Sequence, residues 1–290
     1  MRIALIVVAL KESKRAAMKV GAAFKKARLG ELRTYIVINQ RGVEGYARGV
    51  NKGVEMAKSF KPDLFIVANT DLKNINISKK SLLDGARNFD LWGYAFKQDK
   101  KIYYGGEIDR VRLSGALKTE PGKQDFVSGS LMCFTRKTLE KVGSWNEKYH
   151  MYYEDVDYCY RAREKGLRVG VVNKVTYEHL EFSKANKEKD YDLAKSWLRF
   201  FISYARLGNW FYELIRLPKT LLEYRHLIYE QIRKRPFVYN FMTLNLTSLV
   251  IKILNFVLFL FLVRYFTANQ FGLYNLVWAQ IGLFMPLADL

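Results

Sequence analysis

Acidic residues are scarce in this chain. Across 290 residues, 28 Asp and Glu stand against 48 Lys and Arg, a formal net charge of +20. That imbalance points to an anionic partner: nucleic acid, anionic lipid or a phosphate-bearing small molecule. No helix-turn-helix, zinc-finger or RNP pattern occurs, which argues against nucleic acid. There are only two cysteines, Cys133 and Cys159, and they lack metal-ligand spacing. Both read as buried reduced thiols, which excludes a disulfide framework. No small-residue cleavage site follows the apolar start "MRIALIVVAL", so it reads as a buried strand and not as a secretion signal. Neither G-x-G-x-x-G nor G-x-x-x-x-G-K-[ST] is present, so neither a dinucleotide fold nor a P-loop is supported.

Alternating segments fill the first part of the chain. "IALIVVAL", "RTYIVINQ" and "DLFIVANTD" read as strands, with helical spacing in "KESKRAAMKVGAAFKKA" and "GVNKGVEMAKSF" between them. The pattern predicts an α/β domain with a mostly parallel sheet flanked by helices. Residues 90 to 125 read as irregular strands and loops. "DFVSGSLMCFTRKTLEKVG" reads as strand then helix, "EDVDYCYRAREKG" as a helix stopped at Gly166, and "LRVGVVN" as a short strand. Residues 186–236 are helical, aromatic and basic, resembling either a membrane-surface helix or a helix packed on the domain. Residues 237–266 carry an apolar stretch of about the length that crosses a bilayer, interrupted by Lys252, and a second span fits the end of the chain. Arg233, Lys234 and Arg235 precede the first span and place that side in the cytoplasm. The expected domains are therefore 1–185, a linker at 186–236, and a transmembrane region at 237–290.

Several positions have residue types that suit chemistry. Asp71 in "NTD" ends an apolar strand, where an open α/β sheet binds its ligands, and such an Asp can hold a divalent cation. It is also a common turn former. Glycines in "NQRGVEGYARGVNKG" allow a ligand to approach backbone N–H groups, or mark a plain loop-to-helix junction. Ser128, Gly129 and Ser130 lie in an apolar strand pattern, marking either ligand approach or a β-bulge. Glu154, Asp155 and Asp157 crowd together beside tyrosines. Adjacent carboxylates raise each other's pKa, which suits a general base, although a solvated helix face has the same composition. His179 in "TYEHLEFS" is a candidate metal ligand or a structural histidine.

The order of these pieces carries a resemblance. "NQRGVEGYARGVNKGVEMA", "FIVANTD", "DFVSGSLMCFTRKTLEKVGSWNEKYHMYYEDVDYCYRAREKG" and "EHLEFS", over about 35 to 185, resemble a family-2 glycosyltransferase of the rhamnosyltransferase-like type. The resemblance implies a GT-A-like fold and inverting transfer from a nucleotide-diphosphate sugar to a saccharide or lipid-linked saccharide. Under it, Asp155 is the general base, with Glu154 the rival for that role. Asp71, with His179, holds Mg²⁺ or Mn²⁺. Asn39, Gly45, Asn51, Asn69, Ser128, Gly129, Ser130, Trp145 and Asp157 bind substrate. Family members usually begin with two βα units, whereas this chain has one before "NQRG", and "VVALKES" carries no Asp where the family has one. A degenerate, non-catalytic domain that docks a transporter is therefore the rival reading, and a nucleotidyltransferase is a third. The C-terminal "RYFTANQFGLY" region resembles the opening spans of a polysaccharide (O-antigen type) flippase. Together these imply a domain at the cytoplasmic face of a cell membrane with anionic lipid as a partner.

Overall fold

The computed structural model describes residues 1–40, 43–180 and 187–233, with scattered positions beyond. The expected spans at 237–290 lie almost wholly outside the described residues. Among the described residues no helix is long and apolar enough to cross a membrane. Two compact units are formed, Met1–Leu221 and Leu222–Leu290, and the first holds every strand among the described residues.

The elements run β1 (Arg2–Leu10), α1 (Lys14–Lys26), β2 (Glu31–Asn39), α2 (Tyr46–Ala57), β3 (Leu64–Ala68), β4 (Leu72–Lys73) and α3 (Lys79–Asn88). Then come β5 (Leu91–Gln98), β6 (Lys101–Tyr103), β7 (Gly106–Ile108), β8 (Gly115–Leu117), β9 (Leu131–Thr135), α4 (Arg136–Val142) and α5 (Glu154–Glu164). β10 (Val169–His179), α6 (Lys187–Tyr204) and α7 (Leu207–Arg233) complete the order.

Seven strands form a sheet in the order β2-β1-β3-β9-β5-β10-β4, with β6 paired to β5 as the eighth; β7 and β8 make a separate ribbon. β1 pairs in parallel with β2 and β3, and β5 with β10. β9 is antiparallel to both neighbours, and β4 and β6 are antiparallel to theirs. The sheet is therefore mixed, which corrects the mostly parallel expectation. No helix separates β4 from β3, and β9 enters the sheet from a long loop, so neither needs the crossover that forces parallel pairing.

β1 is buried along nearly its whole length because it is a central strand covered on both faces. Its residues alternate between two cores. Ile3, Leu5 and Val7 pack with Val20 and Phe24 of α1 and Leu82 of α3. Ala4, Ile6 and Val8 pack with Val50 and Val54 of α2, Val156 and Cys159 of α5, and Phe200 and Phe201 of α6.

β5 corrects the reading of 90–125 as irregular. It is a buried inner strand whose first six residues are enclosed. Gly93 interrupts its apolar pattern because a Cβ there would sit 3.0 Å from Val127 Cβ. β10 is also longer than the segment read as a short strand. α6 packs on the domain, and burial of Phe200 and Phe201 stabilises by about 2–3 kcal/mol each. The compact unit thus continues well past residue 185.

Candidate active site

The strand register assembles one end of the site. β4 and β10 pair with Leu72 opposite His179, which carries the preceding Asp71 to the same histidine. His179 Nδ1–H donates to Gln98 Oε1 at 2.9 Å, and Nε2 then faces Asp71 Oδ1 at 3.3 Å. The contact has the length of an ion pair but not the alignment of a hydrogen bond, and neither atom has a hydrogen-bond partner among the described residues. In the neutral ring these are two buried acceptors converging on one point. A divalent cation satisfies that arrangement, with Gln98 in the orienting role usual behind a metal-bound histidine. No cluster of three or more His, Cys, Asp or Glu forms among the described residues. One carboxylate completed by phosphate oxygens and water is the ordinary Mg²⁺ pattern, to which His179 would add one nitrogen ligand.

The other end is the start of α5. Tyr152 and Tyr153 precede it with φ of 64° and 66°, a left-handed conformation that costs a non-glycine residue about 1–2 kcal/mol each. The turn points both tyrosines into the cavity wall, where Tyr153 Oη accepts from the Gly115 N–H at 3.1 Å. Glu154 and Asp155 then occupy the first helical turn, where the helix dipole favours negative charge. Asp155 Oδ2 accepts from the Gly129 N–H at 2.7 Å, and Oδ1 from the Val156 N–H at 2.8 Å. Glu154 is 7% exposed, and its Oε2 has no hydrogen-bond partner among the described residues. Burial, and then the Asp155 charge, push its pKa up to about 8. Burial also raises Asp155, against its two backbone donors. Burial and the neighbouring Asp155 charge thus favour the protonated form of Glu154 near neutral pH.

These groups open on one cavity of about 350 Å³. Of the residues singled out in the sequence, Asn69, Ser128, Gly129, Ser130, Glu154, Asp155 and His179 line it, and Asp71 lies behind His179. The Ser128–Ser130 segment is a turn leading into β9 and not strand interior, which corrects that reading. Gly129 leaves room there for the Asp155 side chain, since a Cβ would stand 3.1 Å from Asp155 Cβ. The Asn69 N–H donates to Ser130 O at 2.9 Å, and Ser130 Oγ pairs with Tyr177 Oη at 2.8 Å.

The remaining assignments fall elsewhere. Asn39 Nδ2 donates to Gly45 O at 2.9 Å, and Gly45 packs so closely that a Cβ would lie 2.5 Å from His150 O. Asn51 donates to Trp145 O at 3.0 Å and accepts from the Trp145 N–H at 2.9 Å. Trp145 is stacked on Tyr158, with ring centroids 4.8 Å apart. Asp157 is fully buried, accepting from Arg161 Nε at 2.8 Å and Tyr204 Oη at 2.7 Å. Asn39, Gly45, Asn51, Trp145 and Asp157 do not line the cavity; Asn39 Nδ2, the Asn51 amide and the Asp157 carboxylate hold the α2 junction and α5 in place, while Asn39 Oδ1 and Trp145 Nε1 are buried with no hydrogen-bond partner among the described residues.

Sequence reasoning missed Tyr46, Gln98, Lys189 and Leu193 as lining residues. Tyr46 Oη donates to Gly129 O at 3.1 Å. Burial, and then the Glu154, Asp155 and Asp71 carboxylates, push its phenol well above the ordinary value. Its place immediately after Gly45 was the available signal. Lys189 and Leu193 come from α6, which no motif ties to the site.

Residues 95–288 match the glycosyl transferase family group 2. The chain belongs to that family. The low-salt glycan biosynthesis hexosyltransferase Agl10 of Haloferax volcanii is 27% identical over 149 residues, covering 46% of this chain and 48% of that protein. The chain thus spans about half the length of the curated relative it matches. Among solved structures, a Drosophila β1,4-galactosyltransferase 7 mutant in complex with manganese, UDP-Gal and xylobiose aligns with a TM-score of 0.44 at 16% identity. That alignment covers 66% of this chain and 79% of the other. S. aureus TarS in complex with UDP aligns with a TM-score of 0.39 at 13% identity, over 72% of this chain and 68% of the other.

Proposed function

We propose that this glycosyltransferase moves a sugar from a nucleotide-diphosphate donor to a saccharide hydroxyl with inversion, in cell-surface glycan synthesis, and that Asp155 is the base. The observation that carries the reading is the Glu154–Asp155 pair at the start of α5, facing a cavity that His179 also lines, with Asp71 3.3 Å from that histidine. The acceptor hydroxyl oxygen attacks the anomeric carbon as the bond from that carbon to the diphosphate oxygen breaks. The proton of the hydroxyl passes to Asp155, and the nucleoside diphosphate leaves with the bonding pair. The Gly129 and Val156 N–H groups hold the Asp155 carboxylate at a fixed angle, so little reorganisation accompanies proton transfer. Protonated Glu154 offers a hydrogen-bond donor to the sugar, and Tyr152 and Tyr153 supply ring faces. Asp71 and His179 would hold Mg²⁺ or Mn²⁺, which offsets charge on the leaving diphosphate.

The test is nucleoside diphosphate release by the full chain from a panel of nucleotide sugars with Mn²⁺ and saccharide acceptors. The expected result is release with one donor, lost in Asp71→Ala. Absence of nucleotide binding at millimolar concentration would sink the enzyme reading in favour of a docking domain.

A further inference from the structure

The polarity of α7 is reversed. A helix on a soluble domain turns its apolar stripe inward. In α7, Asn209, Glu213, Arg216 and Thr220, at spacing i, i+4, i+7, i+11, are the half-buried positions. Leu207, Phe211, Leu214 and Pro218 repeat the same spacing two residues earlier, about 200° round the helix, and face outward. Leu207 is 89% exposed, Phe211 66% and Ile215 67%, with Leu214 and Leu221 also exposed.

The polar stripe is tied to the domain. Asn209 Nδ2 donates to Arg110 O and Val111 O at 2.8 Å each, and Glu213 pairs with Arg112 at 3.3 Å. Trp197 Nε1 of α6 donates to Arg112 O at 3.0 Å. The apolar stripe therefore cannot roll inward without breaking these contacts. Among residues 206–221 the exposed charged side chains are Arg206 and Lys219, both cations, since the acidic Glu213 is on the inner face.

We propose that the outer face of α7 lies in the headgroup–acyl boundary of an anionic bilayer, so that the acceptor reaches the cavity as a lipid-borne saccharide. An outward apolar stripe flanked by exposed cations is the pattern of an interfacial helix, and its charge complements an anionic leaflet. A soluble surface rarely leaves such a stripe in water. The loop that anchors α7, residues 109–114, leads directly into β8, and Gly115 and Leu117 there line the cavity. The lipid-facing helix and the acceptor wall are thus joined through one short loop. The acceptor half of this inference rests on the transferase reading; the lipid contact does not.

The experiment uses the full chain in phosphatidylcholine vesicles with and without phosphatidylglycerol. Cys133 and Cys159 are buried, so a spin label can be directed to Phe211→Cys, Ile215→Cys, or the exposed control Lys58→Cys. At 211 and 215, collisions with oxygen should exceed those with a water-soluble nickel chelate several-fold, more so with phosphatidylglycerol, and the order should reverse at 58. Free access of the chelate to 211 and 215 overturns the proposal. Exclusion of both agents also overturns it, by showing that protein covers the stripe, whether residues 234–290 or a second copy. Mn²⁺-dependent binding of a nucleoside diphosphate, measured on the Phe211→Glu/Ile215→Glu variant, should match that of the unaltered chain. Loss of nucleotide binding in the unaltered chain would count against the transferase reading and not against the lipid contact.

Discussion

Two parts of one helix, α5, show how position decides what a carboxylate does. Asp155 and Asp157 are two residues apart, which turns their side chains about 200° from each other. Asp155 faces the cavity and, among the described residues, accepts only from two backbone N–H groups, so each oxygen keeps a lone-pair direction open to the cavity. Asp157 faces the core, where Arg161 and Tyr204 occupy its oxygens. Composition alone makes the three acidic residues at the start of "EDVDYCYRAREKG" look alike. Packing divides them into a cavity-facing pair and a structural anchor, and the anchor's bond to Tyr204 ties α5 to α6.

The first way to break this contrast is to exchange charge for amide at each site. Asp155→Asn should lower transfer by about 10³-fold or more, the range associated with a positioned base, with an unchanged circular dichroism spectrum. Because burial raises Asp155, turnover in the unaltered chain should fall on acidification at a pH above the ordinary aspartate value of 3.8. Asp157→Ala should do the reverse. It leaves Arg161 partly buried without its partner and costs about 3 kcal/mol of stability, read as a lower urea midpoint, with turnover per folded molecule little altered. An Asp157 variant that folds normally but fails to turn over would move that residue into the site.

Glu154 sharpens the contrast through pH. Its folded pKa of about 8 lies above the ordinary 4.5, so between those values the folded state binds more protons than the unfolded. Its contribution to stability is complete below about pH 4.5 and is lost as pH rises through 8. Glu154→Gln should therefore gain about 4 kcal/mol relative to the unaltered chain between pH 5 and pH 9, measured by denaturant unfolding at each pH. A parallel shift at both pH values would show that Glu154 is already ionised. Gly129→Ala is the subtler perturbation. Its Cβ would meet Asp155 Oδ2 at 3.3 Å and displace the carboxylate by a fraction of an ångström. We expect kcat to fall roughly tenfold with KM nearly constant.

How much of this is legible in the sequence depends on the range of the interaction involved. Strands such as β1 and β3, and the helix α5, announce themselves by local period, and the strand-end Asp71 comes from topology. The approach of His179 to Asp71 depends on a two-residue strand, β4, too short to leave a periodic signal. β5 is hidden by Gly93, whose reason is a contact with Val127 remote in sequence. Tyr46 and Lys189 enter the cavity only because α2 and α6 pack where they do. The glycine and asparagine motif before α2 is visible but reads as donor-binding, because close backbone approach looks the same in sequence whether the approaching group is a ligand or a protein carbonyl.

That last ambiguity gives the smallest predicted effect and the clearest discrimination. Asn51 sits where the family resemblance puts the donor, yet its side chain exchanges two hydrogen bonds with the Trp145 backbone and donates to Glu147 Oε1 at 2.8 Å. Those bonds fix the segment that leads to Tyr152, Tyr153 and Glu154. Asn51→Ala should cost about 1–2 kcal/mol of stability, the net value of a few partly exposed hydrogen bonds, while nucleoside diphosphate affinity stays within twofold at a temperature where the variant is folded. Weaker nucleotide binding without loss of stability would return Asn51 to the donor pocket. It would also show that the α2 junction opens to a ligand in a way its hydrogen bonds do not suggest.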